Sequence, residues 1–388
     1  MTELETVLSA LSKNGEGVNW ELLESSVLGE HLRKMGETYQ NPVYHGEGDV
    51  YTHTKMVVNA LLSDTEYKAL PRKEQEIMFL AALLHDVGKP KCTKIVEDKI
   101  ASPYHAPKGA ILARKILWHD LGLCGSYEKQ NMRESICSYI KYHSFPPYAM
   151  QAENPEYRAL KIASQGELAK SFTMRGLCML ERADINGRIA GNNSESLEKV
   201  EFCKMLCQEL GCLDAPYNFS SDYTKRGYFK EKTSWHNDCL YNDTWGEVII
   251  MSGLPGTGKD TYIKNNFPAL PIVSLDEIRK QLGISPTDKQ GAVMEEAHRL
   301  SKEYLRAHQP FIWNATSLTH QLRTMQISTF EEYGASVRIV FLETEWQEQL
   351  RRNGSRQAVV PLPVIESMLS RLEIPQRYEA EKVEWRAI

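Results

Sequence analysis

Residues 247–262 read Glu247-Val-Ile-Ile-Met-Ser-Gly253-Leu-Pro-Gly256-Thr257-Gly258-Lys259-Asp260-Thr261-Tyr262, and the reading of the chain turns on them. An apolar run, Val248 to Met251, enters a loop whose glycines and lysine have the spacing of a phosphate-binding loop, and a helix-compatible segment, Asp260 to Asn265, follows. Glycines let backbone N–H groups turn toward a polyphosphate, the start of the helix adds partial positive charge, and the lysine reaches the outer phosphates. A Gly-rich turn that binds nothing would not require the strand before it and the helix after it. The spacing therefore predicts a site for a nucleoside triphosphate, ATP or GTP, with Mg²⁺. One position departs from the motif: Asp260 stands where Ser or Thr usually meets the metal. The carboxylate could act through water, Thr261 could take over, or the helix could start slightly differently.

After this loop, apolar runs alternate with helical periodicity. Strands are expected at Pro271 to Leu275, Pro310 to Asn314 and Val337 to Leu342, and helices at Glu295 to Ala307, Gln321 to Tyr333 and Val364 to Leu372. The alternation implies a parallel sheet flanked by helices, with ligands at the C-terminal ends of the strands. Asp276 falls at the end of the second strand, with Arg279 one helical turn on. Such a carboxylate can accept a proton from an attacking hydroxyl, and the arginine can grip a phosphate. Ser274-Leu-Asp-Glu also reads as a helix start, so a capping role is open beside the catalytic one. Arg351, Arg352 and Arg356 lie in a polar segment before Pro361, either as a solvated face or as a cationic lid over phosphates.

The first half differs. Apolar residues recur at helical spacing through residues 1 to 212, predicting a nearly all-helical domain. Within it, His85-Asp86 follows four apolar residues, Ala81 to Leu84, and two polar groups on an otherwise buried helix need partners. His53, His105, His143 and Asp184 complete a set of imidazoles and carboxylates, which suits Mn, Fe, Co, Ni or Zn in a helical scaffold. The chemistry implied is phosphoester hydrolysis. His45 and Glu47 stand open between support for these residues and simple turn roles, and His119 reads as a surface residue.

Composition sets the bounds. The chain has 388 residues, 42% hydrophobic and 25% charged, which fits two or three domains with ordinary cores. Its net charge of −5 offers no global attraction to nucleic acid, so any polyanion must be held locally. No run approaches a membrane span, and Met1 to Ala10 carries glutamates where a signal peptide would be basic, so a cytoplasmic location is expected. The eight cysteines form no CxxC pair, and Cys203, Cys207 and Cys212 read as small apolar residues on a helix rather than zinc ligands. Residues 213 to 244 lack clean periodicity and read as a linker. Tyr223, Tyr228 and Phe229 among its basic residues either pack on neighbouring structure or stack on single-stranded bases.

Two resemblances sharpen these expectations. Roughly residues 20 to 200 resemble an HD-domain metal-dependent phosphohydrolase, and Gln40 to Thr54 is similar to HD domains fused to tRNA nucleotidyltransferases. The resemblance implies that His53, His85, Asp86 and Asp184 hold one metal, that His105, His143 and Asp86 hold a second, and that Lys89 lies near the scissile phosphate. Roughly residues 245 to 380 resemble the kinase module of polynucleotide kinases, through the phosphate loop, Leu275-Asp-x-x-Arg279, Asn314-Ala-Thr316, and Arg352-x-x-x-Arg356 followed by Ala-Val-x-Pro361. That implies NTP phosphates on Gly253, Gly256, Thr257, Gly258, Lys259, Arg352 and Arg356, a general base at Asp276, and an acceptor phosphate on Arg279. The whole chain resembles bacterial bifunctional HD-domain polynucleotide kinases.

The expected organisation is thus multidomain, α and α/β: an HD-domain helical bundle over 1–212, a linker over 213–244 and a P-loop kinase over 245–388. The expected function is RNA end healing, with RNA or DNA ends as substrate, an RNA ligase as a downstream partner and no membrane. A kinase and hydrolase of small nucleotides, or a nucleotide sensor with an idle HD bundle, are the alternatives.

Overall fold

The structure, a computed structural model, describes residues 1–12, 17–285, 287–356 and 358–388. It divides into two compact units, Met1–Leu123 with Glu128–Tyr217, and Cys124–Tyr127 with Asn218–Ile388.

The first unit is built from helices, among them Val50–Ser63, Arg72–Leu84, His105–Lys115, Met174–Asn186 and Asn193–Glu209. Asp49 starts Val50–Ser63 by accepting the Thr52 N–H, and Thr173 starts Met174–Asn186 by accepting that of Gly176. Arg72–Leu84 is buried all round from Ile77 to Leu84, so it runs through the core and delivers His85 and Asp86 at its C-terminal end. Gly88 follows because nothing larger fits. A Cβ there would lie 2.3 Å from the His105 carbonyl and 2.8 Å from the Gly109 backbone, and its absence lets helix His105–Lys115 close on the His85–Lys89 turn.

The expectation of a nearly all-helical first half needs one correction. Strands β1 (Lys94–Val96) and β2 (Lys99–Ala101) form an antiparallel hairpin just before His105. Its turn places Glu97 and Asp98 at φ +49° and +59°. A left-handed pair without glycine, between strands of three residues, leaves almost no sequence signal.

The second unit contains a five-stranded parallel sheet: β3 (Glu247–Ser252), β4 (Ile272–Ser274), β5 (Ile312–Asn314), β6 (Ser336–Glu343) and β7 (Lys382–Ala387), in the order β4-β5-β3-β6-β7. Strand β3 is central and buried from Val248 to Ser252, as a strand covered on both faces must be. From β3 the chain adds β4 and β5 on one side and then β6 and β7 on the other, so the loop leaving β3 opens at the point where strand order reverses. Helices Lys259–Asn266, Leu275–Leu282, Gly291–Arg306, His320–Glu332, Trp346–Gly354 and Leu362–Leu369 flank the sheet.

Several expected boundaries shift. Strand β4 ends at Ser274 because that hydroxyl accepts the Glu277 N–H and starts the next helix. The arginine-bearing polar segment is itself helical over Trp346–Gly354, with Glu345 as its cap. Strand β7 was not anticipated: it is an edge strand carrying Lys382, Glu384 and Arg386, and its charge hid it.

The stretch expected as a linker holds helix Asp222–Phe229 within the second unit, where Arg226 pairs with Glu331 at 2.8 Å and donates to the Tyr378 carbonyl at 2.6 Å. Tyr228 and Phe229 are buried, so these aromatics pack rather than face solvent. Cys203, Cys207 and Cys212 are buried, and among the described residues they join no three-residue ligand group. No helix of the described residues is long and apolar enough to cross a membrane.

Candidate functional site

In the first unit, five separate segments converge on one buried point. His53 comes from the first turn of Val50–Ser63, His85 and Asp86 from the end of Arg72–Leu84, and Asp184 from the last turn of Met174–Asn186. His105 opens its own helix and His143 follows helix Tyr127–Tyr142. Two overlapping groups result, His53-His85-Asp86 and Asp86-His105-His143, each with its ligand atoms within 4.8 Å of one another and Asp86 in both. His53 Nε2 lies 2.8 Å from Asp184 Oδ1 and 3.8 Å from Asp86 Oδ2, and His85 Nε2 lies 3.2 Å from Asp86 Oδ2. Asp86 Oδ1 is 3.4 Å from His105 Nε2. All six residues named by the sequence for a metal are therefore brought together.

The second nitrogens decide what these rings can do. His85 donates Nδ1–H to the Ala82 carbonyl, His105 to that of Ser102 and His143 to that of Ile140, each at 2.8 Å and each three residues back. His53 Nδ1 faces two acceptors, Glu47 Oε1 at 2.9 Å and the Gly187 carbonyl at 3.2 Å, so it too carries the proton. Every ring thus turns Nε2 into the cluster. There, His53 Nε2, His85 Nε2, Asp86 Oδ1 and Asp184 Oδ1 are buried without a hydrogen-bond partner. Buried polar atoms without partners are costly, and four aimed at one another fit a divalent cation held by mixed nitrogen and oxygen donors.

The electrostatics agree. Burial would favour a neutral Asp86, but Lys89 and His85 hold its carboxyl well below the usual range. Asp184 is likewise kept ionised against burial, by His53. Burial would also favour a neutral His53, yet the Asp184 and Glu47 carboxylates outweigh it and raise the ring to about 9. Burial and the neighbouring His105 and His85 push His143 down to about 4. The pocket demands positive charge near its two aspartates. Lys89 is partly meeting it, with Nζ 2.6 Å from Asp86 Oδ2 and also donating to Gln40 Oε1 at 2.6 Å.

Sequence reasoning missed two buried groups here. Gln40 orients Lys89. Glu181, one turn before Asp184, has a carboxyl held well above its ordinary value by burial and by Asp184. A single polar residue, in a loop for Gln40 and on a helix for Glu181, carries no signal of either contact. His119 pairs with Asp120 and stays largely outside the core.

In the second unit, Gly253, Gly256 and Gly258 have φ of +142°, +84° and +84°, the conformations that turn a loop's N–H groups inward. A Cβ on Gly253 would lie 2.5 Å from the Leu342 carbonyl, so the loop passes directly over β6. The Thr257 hydroxyl donates to the Leu254 carbonyl at 2.9 Å and closes the loop from inside. Lys259 folds back and donates to the Gly253 and Leu254 carbonyls at 2.9 and 3.0 Å. Its ammonium is turned into the loop, and burial pulls its pKa down to about 8, with Asp260 opposing and Arg356 adding to the shift.

Asp260 Oδ1 accepts the Asn314 side-chain N–H at 2.7 Å, which ties the departing helix to the end of β5. Thr261 lies exposed in the same turn. Asp276 is exposed in the first turn of its helix, where Arg279 Nη1 meets Oδ1 at 2.5 Å and Arg356 Nη2 lies 3.6 Å from Oδ2. Arg352 is held by Glu348 at 2.7 Å, and a Cβ on Gly258 would lie 3.4 Å from its Nη1. Lys259, Asp276, Arg279, Arg352 and Arg356 therefore gather at the C-terminal end of the sheet. Gln349, which no sequence pattern singles out, donates to the Pro255 carbonyl at 3.0 Å and supports the loop from helix Trp346–Gly354.

Two families match this chain. Residues 50–169 match the HD domain and residues 248–375 match the AAA domain, here of the P-loop kinase-like kind. The chain thus carries an HD domain and a P-loop kinase-like domain. HD domains bind divalent metals and a P-loop kinase implies nucleotide with Mg²⁺, and both pairings agree with the clusters described above.

Proposed function

We propose that this protein heals broken nucleic-acid ends, RNA foremost, in the cytoplasm. The kinase domain moves the outer phosphoryl group of ATP or GTP to a 5′-hydroxyl, and the HD domain clears a 2′,3′-cyclic, 2′- or 3′-terminal phosphate. The observation that carries the kinase reading is the placement of Asp276 between Arg279 and Arg356 at the mouth of the phosphate loop. Asp276 accepts the proton of the attacking hydroxyl, Arg279 grips the acceptor's phosphate, and Lys259, Arg352 and Arg356 offset charge on the transferring group. Gly253, Gly256, Thr257 and Gly258 cradle the triphosphate. Asp260, fixed by Asn314, or the Thr261 hydroxyl would meet the Mg²⁺ that accompanies the nucleotide.

In the HD domain, His53, His85, Asp86 and Asp184 would hold one divalent metal, and Asp86, His105 and His143 a second. A Mn, Co, Ni, Fe or Zn ion held there would polarise a phosphoryl oxygen and supply hydroxide near neutral pH. Lys89, already paired with Asp86, meets the negative charge of the substrate phosphate. The two halves make chemical sense together because they act on different esters of one substrate. A kinase and a hydrolase acting on the same ester would only consume NTP. The product, with a 5′-phosphate and free 2′ and 3′ hydroxyls, is what an RNA ligase joins.

The test uses defined oligonucleotides. A 5′-hydroxyl oligonucleotide should take label from NTP while mononucleosides do not, and oligonucleotides ending in each phosphate should lose it with Mn²⁺, Co²⁺ or Ni²⁺. Asp86→Ala should remove hydrolysis alone. Labelling of mononucleosides in place of oligonucleotides would overturn the end-healing reading in favour of nucleotide metabolism.

A further inference from the structure

His53 is held differently from the other three imidazoles of the cluster. His85, His105 and His143 each rest Nδ1 on the neutral carbonyl three residues earlier, which their own backbone supplies. His53 does not: its Nδ1–H is shared between the Gly187 carbonyl at 3.2 Å, from a distant segment, and a carboxylate oxygen, Glu47 Oε1, at 2.9 Å. Glu47 is distant from solvent, with a side chain only 1% exposed. Its other oxygen accepts the Ile189 N–H at 2.9 Å, and the Gly46 N–H returns a bond to the Ile189 carbonyl, so the 45–48 turn is anchored to the segment just after Asp184.

Oε1 has a second donor, His45 Nδ1, also at 2.9 Å. The two rings meet edge to face, with centroids 4.7 Å apart. His45, Glu47 and His53 lie close enough to be counted as a ligand group of their own. The bonding argues against that role. With the His45 N–H on Oε1, the His53 Nδ1–H also 2.9 Å from it and shared with the Gly187 carbonyl, and a backbone N–H on Oε2, the carboxylate already faces donors, and His53 Nδ1 carries a proton rather than a lone pair.

We infer that Glu47 is a positioning residue of the metal centre: it fixes His53 in the Nδ1–H form, aims Nε2 at Asp86 and Asp184, and raises that nitrogen's strength as a ligand. A carboxylate behind a ligating imidazole does this more strongly than a carbonyl, because its charge stabilises the positive charge the ring acquires on binding a cation. The inference rests on the reading of His53 as a metal ligand.

The experiment measures metal binding, not turnover. Full-length protein stripped with chelator is titrated calorimetrically with Mn²⁺ alone, beside Glu47→Gln, Glu47→Ala and His53→Ala. Glutamine keeps the shape and the bond to Ile189 and loses the charge. Glu47→Gln should bind Mn²⁺ roughly 10- to 100-fold more weakly with the same stoichiometry, and its metal-free melting temperature should stay near that of the parent. Wild-type affinity in Glu47→Gln, with binding lost in His53→Ala, would reduce Glu47 to a loop anchor and leave the metal reading intact. Wild-type affinity in both variants would remove the metal reading and the inference with it. Loss of one metal equivalent in Glu47→Gln, with the remainder bound as before, would make Glu47 a ligand and overturn the positioning role. Failure of Glu47→Ala to fold would leave the decision to Glu47→Gln.

Discussion

His105 and His143 bring their Nε2 atoms to 3.4 Å although both rings donate Nδ1–H to backbone carbonyls. In the neutral rings two lone pairs face each other, an arrangement that repels unless a positive charge lies between or beside them. Asp86 Oδ1, 3.4 Å from His105, supplies the third side. This half of the cluster is a second set of donors beside the set at His53, able to hold a cation of its own.

Replacing His143 with alanine should therefore remove one metal and spare the other. Elemental analysis of protein loaded with Mn²⁺ should fall from two equivalents per chain to one. Phosphate release should drop roughly a hundredfold or more, since the remaining metal loses its partner. Phosphoryl transfer to a 5′-hydroxyl should be unaffected. Two equivalents in the variant would show that His143 only fills space beside Asp86.

Asp276→Asn keeps the shape of the side chain and removes its basicity. Transfer should slow by about 10²- to 10⁴-fold in kcat, with the KM for NTP little changed because Lys259 and Arg356 are intact. Steady-state kinetics separate the two parameters. A higher KM at unchanged kcat would instead make Asp276 a holder of Arg279 and Arg356.

The Lys259 ammonium carries its charge below about pH 8 in the free protein. An NTP polyanion favours the charged form, so the bound pKa must lie higher. Affinity for NTP should thus be greatest below pH 8 and weaken as the pH rises through that value, with binding at pH 8.5 taking up a proton. Calorimetry in buffers of different ionisation enthalpy reads this directly. Binding without proton uptake at pH 8.5 would show that the lysine is already fully charged there.

Gly253 combines φ +142° with a carbonyl 2.5 Å from where a Cβ would lie. Gly253→Ala should cost the second unit about 1–3 kcal/mol and raise the Kd for NTP, while metal-dependent hydrolysis persists. Urea unfolding followed on the β3–β6 region, with Mn²⁺ binding as the control, distinguishes local strain from general misfolding.

Much was legible in the chain itself, because the signals are local. Glycine spacing with Lys259 declares a phosphate loop through backbone conformation alone, and apolar runs before and after it declare parallel strands. His85-Asp86 announces itself as two polar residues at the end of a run with no polar face to share. The hairpin at 94–101, strand β7 and helix Asp222–Phe229 were not legible. Strand β7 and the helix take partners from far along the chain, such as Glu331 for Arg226, while the hairpin pairs locally but through strands of three residues and a turn without glycine.

The amino-acid sequence by itself determined which residue types were available for the chemistry and which helix or strand end would carry each. Tertiary structure alone decided that His53 turns Nε2 toward Asp184 and that Ile189 anchors Glu47 behind it. A ring's tautomer is set by whatever acceptor stands at its other nitrogen. For His53 those acceptors are a residue of the preceding turn and the Gly187 carbonyl, 134 positions away in the chain, and packing is what brings them to it.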